Sequence, residues 1–537
     1  MSVTPPPPPD FIPALRNPVM LAAALALFDN RLHDAEPLLR TRLKENPFDV
    51  AAIRMMAEVA GRIGRYRDAE TLLRRAIVLA PGFLAARSNL ATVLYRQHRV
   101  KDALSELDTL MEYEPDDVGN ANLRAAAMGQ VGNYEEAIKL YEHVLKRAAK
   151  HPKIWMSYGH ALKTVGRQAD SVAAYHKAIS LAPQLGEAWW SLANLKTVKF
   201  GDADIAAMEA ALGKNNLNDE DRFHLHFALG KAYEDRGNAE TAFGHYDTGN
   251  AIRRGLIDYD ASATTAHVDA AIALLTPEFL AARSGMGCAA ADPIFILGMP
   301  RAGSTLIEQI LSSHSMVEGT MELPDIPAIA GRLGGIDSWP QRLAASPADA
   351  LRRMGENFLE TTQIQRKTDK PYFIDKLPNN WINIALIMLI LPNAKIIDAR
   401  RHPMGCCFSN FKQHFARGQS FSYSLSDLGH HYANYVRLMA HVDAVAPGRV
   451  VRVHYEDMVA DSNAETRRLL GALGLPFEEA CLRFYENDRA VRTPSSEQVR
   501  QPIFTSGTEQ WQIFEPWLGP LKDALGDVLT SYPGLPE

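Results

Sequence analysis

The stretch Ile294-Phe295-Ile296-Leu297-Gly298-Met299-Pro300-Arg301-Ala302-Gly303-Ser304-Thr305-Leu306 decides how this chain is read. Its apolar start predicts a buried strand and Gly298-Met299-Pro300 a tight turn. The spacing of Leu306, Ile307, Ile310 and Leu311 then predicts the inner face of a helix. A helix that opens at Gly303-Ser304-Thr305 presents N–H groups with no intrahelical partner, and its dipole favours negative charge there. Strand, loop and helix end therefore predict an anion cradle walled by Pro300, Arg301, Ala302, Gly303, Ser304 and Thr305. A turn rich in small residues would look the same in isolation, so the rest of the chain has to decide.

Downstream, short β-rich runs at 294–297, 372–374, 395–399 and 450–453 alternate with helical stretches. This pattern predicts an α/β domain with a central parallel sheet, whose ligands lie at the carboxyl ends of the strands. Each run is followed at once by charged or hydroxyl residues. After the cradle helix comes Glu318-Gly319-Thr320-Met321-Glu322-Leu323-Pro324; the later runs end in Asp375-Lys376-Leu377-Pro378, Arg400-Arg401-His402-Pro403 with Ser409 beyond, and His454-Tyr455-Glu456-Asp457. Then follow Pro494-Ser495-Ser496-Glu497-Gln498-Val499-Arg500 and Trp511. Taken singly, Glu322, Lys376 and Arg401 each admit a structural role. A second strand-end cation set beside the first cradle instead predicts a nucleotide with two separated phosphates. The loop is P-loop-like but lacks the GK[ST] of nucleotide kinases, and no acidic residue reads as a Mg²⁺ partner.

This ordered set resembles the sulfotransferases that use 3′-phosphoadenosine 5′-phosphosulfate (PAPS), and is most similar to the tyrosylprotein sulfotransferase branch. The resemblance spans roughly residues 293–511. It implies that Arg301, Gly303, Ser304 and Thr305 hold the 5′-phosphosulfate, that Arg401 and Ser409 hold the 3′-phosphate, and that Tyr455 lies near the adenine. It also implies Glu322 as catalytic base and Lys376 at the leaving phosphate oxygen, with Ser495 and Ser496 completing the donor pocket and no metal required. In-line sulfuryl transfer fits these residue types: a carboxylate takes the acceptor's hydroxyl proton, and cations and N–H groups meet the developing charge. Two departures stand out. Gln510 precedes Trp511 where the branch has a lysine, so that contact is lost or supplied by Lys412 or Arg500; and no arginines follow Glu322 to receive an acidic peptide.

The first half of the chain repeats with a period of 34. Small residues recur at Ala23, Ala57, Ala91, Ala125, Gly159 and Ala193, and again at Ala35, Ala69, Ala103, Ala137 and Ser171. Gly64, Gly132 and Gly166 keep the register of the turn, and Pro47, Pro81, Pro115 and Pro183 close the units. Small residues let paired helices approach, while glycine and proline punctuate them. A further unit lies three residues out of register, at Gly230, Tyr233, Gly237, Ala242 and Tyr246. The pattern resembles the tetratricopeptide repeat (TPR). That resemblance implies an all-α solenoid of about seven units with a groove for a protein or peptide partner, where Asn89, Asn122 and Asn194 are candidates to face the ligand.

The expected organisation is a Pro-rich disordered leader at 1–16, a TPR array at 17–254, a helical linker at 255–290 and a sulfotransferase domain at 291–537. The chain has 537 residues, a net charge of -6 and four cysteines, without metal-ligand spacing. This balance gives no global case for nucleic acid. No signal peptide or membrane span is visible, which predicts a soluble, cytoplasmic protein with reduced, buried thiols. Expected partners are the hydroxyl-bearing acceptor (protein, glycan or small molecule) and a protein on the TPR groove, with a homodimer left open. The rival readings are a TPR scaffold whose nucleotide-binding domain no longer turns over and, more remotely, a P-loop kinase.

Overall fold

The computed structural model describes residues 16–335, 339–415, 419–491, 493, 495–503 and 508–533. Residues 1–15 of the expected leader, and Pro494, lie outside this set. The chain divides between Ala161 and Leu162 into two compact units.

In the first unit, helices come in consecutive pairs: Pro18–Phe28 with Leu32–Glu45, Val50–Arg62 with Tyr66–Leu79, Leu84–Arg96 with Val100–Tyr113, and Val118–Gln130 with Tyr134–Arg147. The periodic alanines Ala23, Ala57, Ala91 and Ala125 are buried, as are Ala35, Ala69, Ala103 and Ala137. A larger side chain at these places would push the pairs apart. Asp49 and Asp117, two periods apart, cap their helices by accepting from the backbone N–H of Ala52 and Asn120. The turns within the pairs carry positive φ every 34 residues, at Asn30 (57°), Gly64 (81°), His98 (61°) and Gly132 (83°). Only the glycines were legible as turn residues; Asn and His are the other types that tolerate this conformation.

The second unit begins with the rest of the helical array: Gln168–Leu181, Gly186–Ala193, Asp202–Leu212, Asp219–Asp235 and Ala239–Gly255. Here the period breaks. Gly186–Ala193 has 8 residues where the corresponding helices before it have 11 or 13, and Lys196 takes the left-handed conformation (φ 65°) just beyond. The next pair closes tightly, since a Cβ on Gly230 would lie 2.6 Å from the ring of Tyr246.

The same unit holds a five-stranded parallel sheet in the order β2-β3-β1-β4-β5, with β1 Pro293–Gly298, β2 Val317–Gly319, β3 Tyr372–Lys376, β4 Lys395–Arg400 and β5 Val451–His454. Strand β1 is buried throughout, as a central parallel strand covered on both faces must be. β2 was not expected: three residues with Glu318 at the centre give no hydrophobic run. The apolar run after β3 forms the helix Ile384–Ile390, buried along its whole length; among the described residues no helix is long and apolar enough to cross a membrane. Of the cysteines, Cys406, Cys407 and Cys481 are buried and Cys288 is half-buried.

The repeat helices and the sheet domain touch through specific contacts within this unit. Asn250 Nδ2 donates to the carbonyl of Phe411 (2.8 Å), Lys412 pairs with Glu234 (2.6 Å) and Arg254 with Asp427 (2.8 Å).

Candidate functional site

Chain order places β1 between β3 and β4, so the loops leaving β1 and β4 emerge side by side. Such a switch point is where open α/β sheets leave a crevice. The β1 loop turns on Arg301 (φ 66°) and Gly303 (φ 93°), then enters the helix Ser304–Ser312, whose first N–H groups receive no side-chain cap. Gly303 is required twice over. Its φ is left-handed, and a Cβ would lie 2.8 Å from the ring of Tyr455. Arginine at a left-handed position is uncommon and costs conformational energy, which the surrounding contacts must offset.

Those contacts fix the Arg301 guanidinium. It donates to the hydroxyl of Ser409 (3.1 Å), to Ser495 Oγ, and to Gln498 Oε1 (3.3 Å). Arg401, just beyond β4, donates to the carbonyl of Arg301 (3.1 Å) and lies over the Tyr455 ring, 4.8 Å from its centroid. Burial, with Arg401 adding to it, lowers Arg301 to about 10. A cation held against its own preference in this way favours an arriving anion.

Arg301, Gly303, Ser304, Thr305, Arg401, Ser409, Tyr455 and Ser495 all open on one cleft of about 420 Å³, within the range of nucleotide-sized sites. Gln510 and Trp511 line it too, with Trp511 stacked on His402 at 5.7 Å. Of the other predicted residues, Pro300 lends its carbonyl to Asn410 Nδ2 (2.7 Å) and Ala302 is buried in the loop. Ser496 is buried, its hydroxyl without a hydrogen-bond partner among the described residues. Arg500 is not among the residues lining the cleft: its guanidinium donates to the carbonyls of Thr164 (3.2 Å) and Arg489 (3.3 Å). Of the two suggested replacements for the lysine absent at Gln510, only Lys412 faces the cleft.

Glu322 and Lys376 form a second cluster at the carboxyl end of β3. Lys376 is buried and lies 2.6 Å from Glu322, whose side chain is 47% exposed. Glu308, one helical turn past Ser304, sits 3.9 Å from Lys376 and pairs with Arg489. Beneath them, Asp375 is fully buried; burial raises its carboxyl well above the usual range, against the opposing pull of the Leu323 N–H it accepts from.

The cleft also contains residues without a predicted role in the donor site. Trp190, Lys196, Lys231 and Glu234 come from the helical array, with Asn194, a candidate for the repeat groove, and Gln498 from the Ser495–Arg500 motif. The trace of the four unmarked residues in the sequence is the lost register between Ala193 and Gly230.

Family models match the repeat region and the sheet region separately. Residues 293–479 match the model of the sulfotransferase family, and residues 63–127 and 124–186 match tetratricopeptide repeat models. The sheet region is thus similar to the sulfotransferase family over most of its length. A curated relative from Aquifex aeolicus, described as an uncharacterized protein, is 28% identical over 401 residues, or 73% of this chain. The chain spans about half (52%) of that relative's length. A putative protein-tyrosine sulfotransferase of Caenorhabditis briggsae is 23% identical over 232 residues, 41% of this chain and 80% of its own. Among solved structures, the sulfotransferase domain of the Synechococcus PCC 7002 olefin synthase is 22% identical. It covers 42% of this chain and 88% of its own, with a TM-score of 0.33. The sulfotransferase-family match ends before Ser495, Gln498 and Trp511, which nonetheless line the same cleft.

Proposed function

We propose that this protein transfers the sulfuryl group of PAPS to a hydroxyl acceptor. The observation that carries the reading is the pair of interlocked arginines, Arg301 after β1 and Arg401 after β4, opening on one cleft beside an uncapped helix N-terminus. Two cationic centres at neighbouring strand ends suit a nucleotide that carries phosphate at both its 3′ and 5′ positions. Arg301 and the N–H groups of Gly303, Ser304 and Thr305 hold the phosphosulfate end in this reading. Arg401 and Ser409 hold the 3′-phosphate, Tyr455 flanks the adenine, and Ser495 fixes the Arg301 head.

In the transfer, the acceptor oxygen bonds to sulfur as the bond from sulfur to the 5′-phosphate oxygen breaks. The acceptor's proton passes to the Glu322 carboxylate, whose half-exposed side chain an acceptor can reach. Lys376 meets the charge that builds on the departing phosphate oxygen. Asp375 and Glu308 position this pair, one through Leu323 and the other alongside Lys376. The repeat array recruits the acceptor or a protein partner.

The test is transfer from labelled PAPS into pools of peptide, glycan and small-molecule hydroxyls. Wild-type protein should label one pool, and Glu322→Ala should label none while still binding the nucleotide. Equal labelling by both proteins would remove Glu322 from the mechanism.

A further inference from the structure

We propose that the helical array forms one wall of the nucleotide cleft and that Lys196, from the turn after Gly186–Ala193, binds a phosphate of the donor. This rests on the donor reading above and extends it to a residue outside the sulfotransferase-family match.

Three observations carry it. First, Lys196 lines the same cleft as Arg301, Arg401 and Lys412, together with Trp190, Asn194 and Lys231 of the array. Second, its Nζ lies 3.4 Å from Gln498 Oε1, the same oxygen that accepts from Arg301 at 3.3 Å. One neutral acceptor thus holds two cations side by side and aims both into one space. Third, the charges there do not balance. Lys231 pairs with Asp235 and Lys412 with Glu234, whereas Lys196 has no carboxylate within ion-pair distance among the described residues. A half-buried ammonium whose contact within reach is a neutral amide oxygen is costly to keep charged. Burial, reinforced by Arg301, Lys412, Lys163 and Lys231, accordingly pushes Lys196 well below the usual lysine range. A doubly charged phosphate between Lys196 and Arg301 supplies the missing charge.

The local backbone is shaped for this placement. The shortened helix ends at Ala193, and Lys196 lies four residues before the position at which the 34-residue period would set its turn. Lys196 then adopts φ 65°, a conformation disfavoured for lysine, in a turn displaced from the register of the earlier repeats. The lysine that Gln510 lacks beside Trp511 is thereby replaced from the array.

The experiment is calorimetric titration of the full chain with 3′-phosphoadenosine 5′-phosphate, without Mg²⁺, in wild type, Lys196→Met, Lys196→Arg and Lys199→Met, with thermal melts of each free protein. Lys196→Met should weaken binding roughly 10- to 100-fold, as expected for one charge-assisted contact to phosphate. Its free form should melt no lower than wild type, because the residue removed is a cation without a counter-charge. Lys196→Arg should recover part of the affinity, and the exposed Lys199→Met should match wild type. Unchanged affinity in Lys196→Met would overturn the inference and leave the donor reading intact. A lower melting temperature with unchanged affinity would make Lys196 structural, which also overturns it. Failure of wild type to bind would defeat the donor reading itself.

Discussion

Strand β4 ends at two groups of charge that are close in sequence and opposite in arrangement. Asp398 and Arg400 point into the core with under 2% of either exposed, and there Asp398 takes Arg400, Arg452 and the Tyr435 hydroxyl as partners. Burial works against the Asp398 carboxylate, but Arg400 and Arg452 outweigh it and hold the group below the usual carboxylate range. One residue further on, Arg401 turns to the cleft, which it shares with Arg301, Lys196, Lys231 and Lys412 and with the carboxylates of Glu234, Asp235 and Glu497. The first cluster is neutralised from within and has no need of a ligand. The second pairs Lys412 and Lys231 with carboxylates but leaves Lys196 with none within ion-pair distance among the described residues. Charge type alone does not separate a structural network from a binding site; the balance of charge does.

The sharpest way to break the comparison is at the chemistry beside the second cluster. Glu322→Gln should lower turnover by roughly 10²- to 10⁴-fold, the usual share of a general base, with little change in nucleotide affinity. A parallel loss of affinity would mean that Glu322 belongs to the binding cluster.

Next in size is the core network. Asp398→Ala should destabilise the second unit by about 3–5 kcal/mol, measured by denaturant unfolding, because it strands the buried Arg400 and takes one of two carboxylate partners from Arg452. With its folded-state pKa depressed, Asp398 contributes stability above the usual carboxylate range and loses it as pH falls through the folded value. The acid limb of the wild-type stability profile should therefore flatten in this variant.

Arg401→Ala should act in the reverse sense: affinity for 3′-phosphoadenosine 5′-phosphate falls roughly 10- to 100-fold while stability hardly moves. The smallest effect concerns Lys163, which burial lowers to about 8 against the opposing charge of Glu497. The unfolded chain binds the extra proton between that value and the usual lysine range, so stability should rise with pH across this window. Lys163→Met should remove that slope.

Much of this was legible in the sequence because it depends on local pattern. The 34-residue period needs only small residues at fixed intervals, and four of the five strands are apolar runs that end in chemistry. Arg301, Ser304, Thr305 and Arg401 sit at strand and helix ends, where position marks them as candidates for binding an anion and the family resemblance implies their separate roles. What escaped depends on long-range contact. Lys196 and Gln498 meet across 302 positions, and Arg489 reaches Glu308, Gln309 and the carbonyls of Gly319 and Thr320 from a stretch without motif. Arg500 shows the converse. Its motif placed it in the donor pocket, but the carbonyls of Thr164 and Arg489 hold its guanidinium elsewhere. The strand Val317–Gly319 was missed because pairing with β3, and not side-chain pattern, makes it a strand.

The central claim is that the cleft between the β1 and β4 loops is a two-phosphate site. It is tested most directly by titrating wild-type protein with 3′-phosphoadenosine 5′-phosphate and with AMP, in the absence of Mg²⁺. The account predicts micromolar binding of the bisphosphate and far weaker binding of AMP, with the difference lost in Arg401→Ala. Equal affinity for the two nucleotides, or binding that appears only for ATP with Mg²⁺, would contradict it.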